Sequence, residues 1–381
     1  MGIHLSIYNR LKLIKITAVL GLFLSMLFSL NSWAGQRYFP VYSLIEGIQV
    51  LPPYDYVFPV VELLLLILLL FIPKPKLFIF LIVTVNVYFI LTDINRLQSW
   101  LFVYNAILIV LFFYNWRIDN VNHYTFHFIL LQILMAALYV HSGIQKFNPF
   151  FTEEIFPSVI KSLGNWISDR QLNLLAKMAY AIPIFEILAG LGILIKSLRF
   201  IAVPVLSLIH ITLLFFTGFS GEKNTPMVWV WNLSMIFLIL FLFTGKTSER
   251  FYSVTHLFKQ PLFYLIILFF WIFPFLHLFN LYPAPLSFSF YSGNENQGEL
   301  IINQKTYDNL PLYVRHFANS TNDGYRIDLQ EWCMEELNIQ IYNESFLYVG
   351  VQQKIQKITG SNKQDVKLVY IERQKMFAAQ P

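Results

Sequence analysis

Residues 56–72 read YVFPVVELLLLILLLFI, an unbroken apolar stretch in which Glu62 is the only charged side chain. A helix that crosses the hydrocarbon core of a bilayer needs about 20 mostly apolar residues, with a lower limit near 17. The stretch lacks the alternation of polar and apolar residues that a membrane β-strand facing a lumen shows. It therefore predicts a membrane-spanning α-helix.

Eight further segments have the same character, and the full set predicts an all-α polytopic membrane protein with about nine transmembrane helices. Composition supports this class, because 56% of the 381 residues are hydrophobic and only 13% are charged, whereas soluble domains carry about 25% charged residues. The third and fourth segments are short and contain Asn86 or Asn105. The predicted spans are residues 16–33, 56–72, 77–92, 97–114, 124–140, 179–195, 200–217, 227–244 and 262–281.

The composition also excludes several classes of function. Cys333 is the one cysteine of the chain, so neither an intramolecular disulfide nor a cysteine-based zinc cluster can form. The sequence contains no glycine-rich phosphate loop, HExxH or GxSxG motif, and no basic cluster interleaved with aromatic residues. We therefore predict no metal site and no nucleic-acid partner, and we expect the lipid bilayer to be the main surroundings of the chain.

The basic residues of the loops predict the orientation, because Lys and Arg flanks are retained in the cytoplasm. If the N-terminus is cytoplasmic, the inner loops carry 11 basic residues and the outer loops carry seven. Nine spans in a cell membrane or inner membrane then place the C-terminal segment outside. The inner set is Arg10, Lys12, Lys15, Lys74, Lys76, Arg117, Lys196, Arg199, Lys246, Arg250 and Lys259.

The first apolar segment has a second interpretation. Its basic flank, its apolar run and the small residues Ala34 and Gly35 also fit a cleavable signal peptide. Cleavage there would remove one span and leave the topology of the other segments unchanged.

The chain divides by composition into residues 1–281, a transmembrane helical domain, and residues 282–381, a soluble extracytoplasmic domain. The second part carries 9 basic and 11 acidic residues, and its length suits a small domain. Its patterns predict strands at 286–291, 298–306 and 367–372, a helix from Asp328 to Leu337 and a second helix after Asn343. This α+β domain offers a docking surface for an extracytoplasmic protein partner.

Six ionisable side chains lie in the outer half of the predicted spans or at their outer ends. Counted at a rise of 1.5 Å per residue, Glu62, Glu186 and His210 lie about 10 Å below the outer surface. Ionisable groups are costly within a bilayer, so each is a candidate functional residue. We expect the three deepest to line one outer-leaflet cavity. The six residues are Glu62, His141, Lys146, Glu186, His210 and His277.

Each of these residues also has a purely structural interpretation. The Lys146 ammonium can extend to the headgroup water, and His141 or His277 can be an interfacial residue with one hydrated nitrogen. Glu62 can hydrogen-bond a neighbouring helix. The sequence alone leaves both interpretations open for every member of the set.

The stretch His141-Ser142-Gly143-Ile144-Gln145-Lys146-Phe147-Asn148 closes one predicted helix. It resembles the AGVKKLD-type segment of the vitamin K-dependent gamma-carboxylases and the equivalent segment of the wider HTTM and DoxX-like membrane families. The next two helices carry Phe185-Glu186-Ile187-Leu188-Ala189-Gly190 and Ser207-Leu208-Ile209-His210 in the same order as those families. The resemblance is strongest over residues 124–244.

The resemblance implies a role for Lys146, because the second lysine of the carboxylase segment is regarded as the base that deprotonates reduced vitamin K. A reduced quinone-type lipid is the cofactor that it implies. Gln145 stands in place of the first lysine, and the extramembrane part is far smaller than in the animal enzymes. The resemblance therefore extends to the membrane fold and the base, and carboxylation of glutamates in a protein substrate is not expected.

Three functions remain open from the sequence. The first is an enzyme that acts on a lipophilic, quinol-like substrate at the outer leaflet, with Lys146 and His210 as catalytic candidates and Glu186, Glu62 and His141 in support. The second is a noncatalytic membrane partner or assembly factor that docks through residues 282–381. The third is a proton-coupled transporter, which the confinement of the ionisable residues to one leaflet disfavours.

Overall fold

A computed structural model describes residues 6–33, 37–45, 47–48, 50, 52–116, 121–161, 168–219, 226–245 and 254–372 of the chain. The proposed cleavage area at Ala34 and Gly35 and the loop residues Arg117, Lys246 and Arg250 lie outside the described residues. The helices before residue 281 are α1 Ile7–Phe28, α2 Leu30–Trp33, α3 Tyr54–Phe71, α4 Lys76–Thr92, α5 Ser99–Phe113, α6 Val121–Gln145, α7 Phe156–Lys161, α8 Asp169–Lys177, α9 Ala181–Gly192, α10 Arg199–Phe219, α11 Pro226–Phe243, α12 Val254–Leu257, α13 Pro261–Ile266 and α14 Phe273–Leu276, with π-helical turns at Phe151–Ile155 and Ile267–Ile272.

Each of the nine predicted segments contains helix, but the count of nine spans is not confirmed. Within the described residues, six helices are long and apolar enough to cross a membrane. The bent pair α8 and α9, with 50° between the two helices, adds a seventh if it counts as one span. The helices α4 and α5 are apolar but shorter, at 17 and 15 residues. The six are Ile7–Phe28, Tyr54–Phe71, Thr125–Gln145, Lys196–Phe215, Pro226–Phe243 and Pro261–Phe279.

Helix α1 begins nine residues before the predicted span, so its basic residues lie within the helix. The Arg10 guanidinium donates to the backbone oxygen of Phe241 at 2.6 Å, and the Lys15 ammonium donates to that of Leu69 at 2.9 Å. Carbonyl groups at a helix C-terminus lack intrahelical donors, so they accept such bonds readily. These contacts bring the start of α1 beside the ends of α3 and α11.

The opposite end of the bundle, where α1 and α6 finish and α5 begins, is called the domain end below. Here the Asn338 amide donates to the Phe28 oxygen at 3.1 Å, and the Gln98 amide donates to the Gln340 oxygen at 2.8 Å. The C-terminal domain therefore lies against this end of the helices. The structure does not bear on which end faces the cytoplasm, so the orientation stays a prediction.

The C-terminal region contains a four-stranded antiparallel sheet in the order β2-β3-β1-β4, packed against helices. On the inner strand β1, which spans Gln297–Ile302, Leu300 pairs with Ile327 on one side and with Leu368 on the other. Alternate residues of that strand are buried, which directs one face toward the helices. The elements are β1 Gln297–Ile302, α15 Gln304–Asn309, α16 Leu312–Arg315, β2 Ala318–Thr321, β3 Gly324–Asp328, α17 Leu329–Leu337, α18 Ser345–Thr359 and β4 Val366–Ile371.

Most of the predicted elements of this domain are confirmed. The Asp328 carboxylate caps α17 by accepting from the backbone N–H groups of Gln330 and Glu331 at 2.8 and 3.0 Å. Helix α18 follows Asn343 as expected, and β4 covers the third predicted strand. The second predicted strand ends at residue 302, because the Asn303 side chain accepts from Thr306 N and starts α15.

The prediction of a strand at 286–291 is wrong. The segment forms a 3₁₀ turn at Ala284–Leu286 followed by further turns, and Phe288 and Tyr291 have positive φ angles of 60° and 50°. Phe288 is fully buried and stacks on Phe102 and Phe270 in the core of the membrane helices. The alternating pattern thus reflects burial against helices and not a place in the sheet.

Candidate active site: a cavity between four helices

Two glycines bring helices α6 and α9 into close contact. A Cβ atom on Gly143 would lie 2.6 Å from Ile187 Cγ1 and 2.8 Å from the backbone oxygen of Pro183. A Cβ atom on Gly190 would lie 2.9 Å from Tyr139 Cβ. Small residues at such crossings let helix backbones approach closely within a membrane. The side chains that flank the two glycines therefore meet across a short distance.

Lys146, the first residue after α6, and Glu186 of α9 form a buried ion pair at this crossing. The Lys146 ammonium donates to Glu186 Oε2 at 2.8 Å and to Ser142 Oγ at 2.6 Å, and it also contacts the Ser142 backbone oxygen at 3.3 Å. The two residues are 7% and 4% exposed. Charges removed from water need partners of this kind. The structure thus places Lys146 in a protein-lined pair and not as an extended surface ammonium.

A second polar chain joins Tyr139, His210 and Asn232. The Asn232 amide donates to the Val228 backbone oxygen at 2.7 Å, so its Oδ1 faces His210 Nδ1, also at 2.7 Å. An amide oxygen only accepts, which assigns the ring proton to Nδ1. In the neutral ring the other nitrogen, Nε2, accepts from the Tyr139 hydroxyl, which lies 2.8 Å away. His210 is therefore held between a phenol and an amide.

Both polar groups face one cavity of about 400 Å³ between α6, α9, α10 and α11. This volume lies within the usual range for sites that hold small organic ligands, about 300–1,000 Å³. Its walls are otherwise largely apolar, and Phe185 and Leu208, which line it, are 56% and 61% exposed on the outside of the bundle. In a membrane that outer surface contacts lipid, so the cavity borders the hydrocarbon phase. Its aromatic walls include Phe151, Phe156, Phe185, Trp231, Phe290 and Tyr291.

The segment after residue 281 covers the cavity at the domain end. The Asn148 amide donates to the Ser292 oxygen at 2.9 Å, and the Asn294 amide donates to Gln145 Oε1 at 3.0 Å. Gly293 has a φ of +66°, and a Cβ there would lie 2.2 Å from Phe150 Cδ1, so only glycine fits. Burial raises the pKa of the Tyr291 phenol, which therefore stays protonated beside the cavity.

The predicted site residues separate into two groups. Lys146, Glu186 and His210 line the cavity together. His141 is fully buried, yet its Nε2 contacts the Trp271 backbone oxygen at 3.0 Å and its ring packs edge-on against Phe275. His141 lies five positions before Lys146, and at 100° per residue this offset directs the two side chains to different sides of the helix axis. His141 is therefore directed toward the π-helical turn and α14.

The expectation that Glu62 shares this cavity is wrong. Glu62 is fully buried on α3, beside Asn86 of α4, and it is not among the residues that line the cavity. Helix α3 packs against α1, α2 and α4, none of which contributes to the cavity wall. Depth along a helix places a residue at a height in the bilayer but does not identify its neighbours. The sixth candidate, His277, lies within hydrogen-bonding distance of the Tyr282 and Asn294 oxygens and so fixes the covering segment.

Sequence reasoning missed Tyr139, Ser142 and Asn232. Ser142 and Tyr139 lie four and seven residues before Lys146, a spacing that places all three on one face of a helix. Asn232 is a fully buried amide within an apolar span, the same signal that marked Asn86. Helical spacing from the candidate lysine and a search for amides in spans would have found all three.

Comparisons with protein-family models, curated proteins and solved structures give no match to this chain.

Proposed function

We propose that this chain is an integral membrane enzyme that deprotonates a lipophilic quinol-like substrate in the cavity, with Lys146 as the base. One observation carries the proposal: the Lys146–Glu186 pair and the Tyr139–His210 pair face the same apolar cavity at the edge of the lipid phase. The apolar helices are those of an integral membrane protein. The position of the cavity in the outer leaflet and membership of the HTTM and gamma-carboxylase-like families belong to the same proposal.

The walls indicate the class of substrate. Aromatic side chains provide flat apolar contacts for a ring, and the exposed residues Phe185 and Leu208 mark a route from the bilayer. The polar groups of the cavity are few and lie at separate positions, as expected of a site that binds an apolar ring carrying oxygen atoms at separate positions. A hydroquinone with an apolar chain fits this description.

The ion pair can act as a base by exchanging a proton internally. Transfer from the Lys146 ammonium to the Glu186 carboxylate gives an amine and a carboxylic acid, both neutral and therefore compatible with apolar walls. The amine then takes the proton of a substrate hydroxyl, and the products are a substrate oxyanion and a Lys146 ammonium beside it. The ammonium stabilises the oxyanion, as a fixed charge does in a site that excludes water.

The second polar chain serves to orient the substrate. His210 holds the Tyr139 hydroxyl in place through Nε2, and Asn232 holds His210 through Nδ1. With its proton directed to His210 Nε2, the phenol oxygen accepts a hydrogen bond from a second substrate hydroxyl. Positioning of this kind by a fixed side chain contributes to rate through orientation.

Binding is tested by fluorescence, because Trp231 lines the cavity while Trp229 on the same helix does not. A short-chain 1,4-naphthoquinone added to the protein in phospholipid nanodiscs should quench tryptophan emission saturably. The saturable component should be lost in Trp231→Phe and retained in the matched variant Trp229→Phe. Quenching that rises without saturation and equally in the three proteins would contradict the proposed site.

A further inference from the structure

Glu62 is a buried acid that the proposed reaction does not use. It lies within the apolar helix α3 and is 0% exposed. Its carboxyl group lies beside the Asn86 side chain, yet neither carboxyl oxygen is within hydrogen-bonding geometry of a donor in the part of the chain that the structure describes. Buried carboxylates normally accept several hydrogen bonds or pair with a cation, so this acid lacks what its charged form requires.

A chain of amides fixes the group next to it. The Asn105 amide donates to the Leu101 backbone oxygen at 2.8 Å, which leaves Asn105 Oδ1 to accept from the Asn86 amide at 3.2 Å. Asn86 Oδ1 is consequently directed away from Asn105, and within the described residues it is buried without a donor. Glu62 and Asn86 thus contribute three buried acceptor oxygens, and the one N–H of the Asn86 amide that is not bonded to Asn105 cannot satisfy all three.

The helices around α3 place no cation against Glu62. Helix α1 contributes Lys15, whose ammonium bonds to the Leu69 oxygen, seven residues or about 10 Å further along α3. Helix α4 contributes Asn86 and Tyr88, and the Tyr88 ring packs edge-on against Phe58. Helix α2 reads LNSW and carries no titratable group. These three helices therefore supply no cation to the buried acid.

We propose that Glu62 is a proton-binding site of the membrane domain, occupied as a carboxylic acid whose hydroxyl donates to Asn86 Oδ1. One proton provides the missing donor and removes the charge, and both changes favour burial in hydrocarbon. Asp55 lies seven residues earlier on the same buried face of α3, nearer the domain end, and among the described residues its Oδ1 also has no hydrogen-bond partner. This second acid marks the side from which a proton reaches Glu62. The site is separate from the cavity and independent of the proposed reaction.

The test is chemical modification of the full chain in phospholipid nanodiscs at neutral pH. N,N′-dicyclohexylcarbodiimide is lipophilic, and a protonated carboxylic acid adds across its C=N bond to give an N-acylurea with no leaving group. Peptide mass spectrometry should find the adduct on Glu62 and not on Glu186, whose carboxylate is paired with Lys146. A water-soluble carbodiimide should modify the exposed Glu331 and leave Glu62 unmodified.

Infrared spectroscopy provides a second, reagent-free measurement. The carbonyl band of a protonated carboxylic acid should be present in the wild type and reduced in Glu62→Gln, which keeps the shape of the side chain. Glu186→Gln is the matched control and should leave that band unchanged. Absence of both the Glu62 adduct and the Glu62-dependent band would overturn the proposal. Naphthoquinone quenching of Trp231 should be unaffected in Glu62→Gln, so failure of either proposal is distinguishable from failure of the other.

Discussion

The Lys146 ammonium donates to Glu186 Oε2 at 2.8 Å, although the two residues are 40 positions apart in the sequence. Their side chains are 9% and 5% exposed. Lys146 directly follows α6 and Glu186 lies in the middle of α9, next to the glycine contacts that set the distance between the two helices. Loss of either residue should therefore lower the stability through the unpaired buried charge, and loss of Lys146 should in addition remove the proposed base.

Removal of one partner should destabilise the protein more than removal of both. Glu186→Gln leaves a buried ammonium without its carboxylate, and Lys146→Met leaves a buried carboxylate, each at a cost of about 3 kcal/mol in the free energy of unfolding. The double variant should lose less than the two single losses combined, because no unpaired charge remains. The free energies of unfolding of the wild type, the two single variants and the double variant are measured by titration with SDS in mixed micelles. Additive losses would show that the two groups do not interact.

Gly143→Ala should separate α6 from α9. The new Cβ would lie 2.8 Å from the Pro183 backbone oxygen, which cannot rotate away, so a loss of about 1–3 kcal/mol in stability is expected. Gly192→Ala is the matched control on α9, since its nearest neighbour is Ala202 Cβ at 3.3 Å, and it should cost less. The same SDS titration measures both, and equal losses would contradict the close contact at Gly143.

The topology prediction needs an exposed reporter, because Cys333 is fully buried. Burial also raises the pKa of its thiol, so it should react with maleimide only after the domain unfolds. Lys363→Cys at the exposed end of the C-terminal domain should be labelled by an impermeant maleimide in intact cells. The exposed position Lys12→Cys at the other end of α1 should be labelled only after permeabilisation. The reverse pattern would invert the predicted orientation.

Glu336 should anchor the segment after α2 to the C-terminal domain. Its carboxylate accepts from the backbone N–H groups of Tyr38 and Phe39 and from the Trp332 indole. Glu336→Ala leaves two buried donors and one partly buried donor unpaired, and it should cost about 3 kcal/mol in stability. Exposed Glu331→Ala on the same helix should change the stability by about 0.5 kcal/mol or less. Chemical denaturation followed by tryptophan emission checks both. Similar losses in the two variants would contradict the anchor.

Membrane class, helix positions and the cap at Asp328 could be predicted because each depends on a local pattern of residues. The position of Glu62 beside Asn86, away from the cavity, could not be predicted, because depth in the bilayer gives no information on which helix lies beside another. Residues 286–291 alternate as a strand does, yet Phe288 packs into the helix core through contacts that are distant in sequence. Tyr139 and Asn232 carry no charge, so a search based on ionisable groups passed over them.

Proton abstraction by Lys146 is visible in the absorption spectrum of a bound hydroquinone. A short-chain 1,4-naphthohydroquinone is added anaerobically to the protein in nanodiscs, and the absorption of its anion is recorded. Lys146→Arg keeps the positive charge but cannot give up a proton. If Lys146 is the base, the anion band should be present in the wild type and the neutral spectrum in Lys146→Arg, with binding retained in both. An anion band of equal intensity in Lys146→Arg, or no anion in the wild type at saturation, would show that Lys146 is not the base.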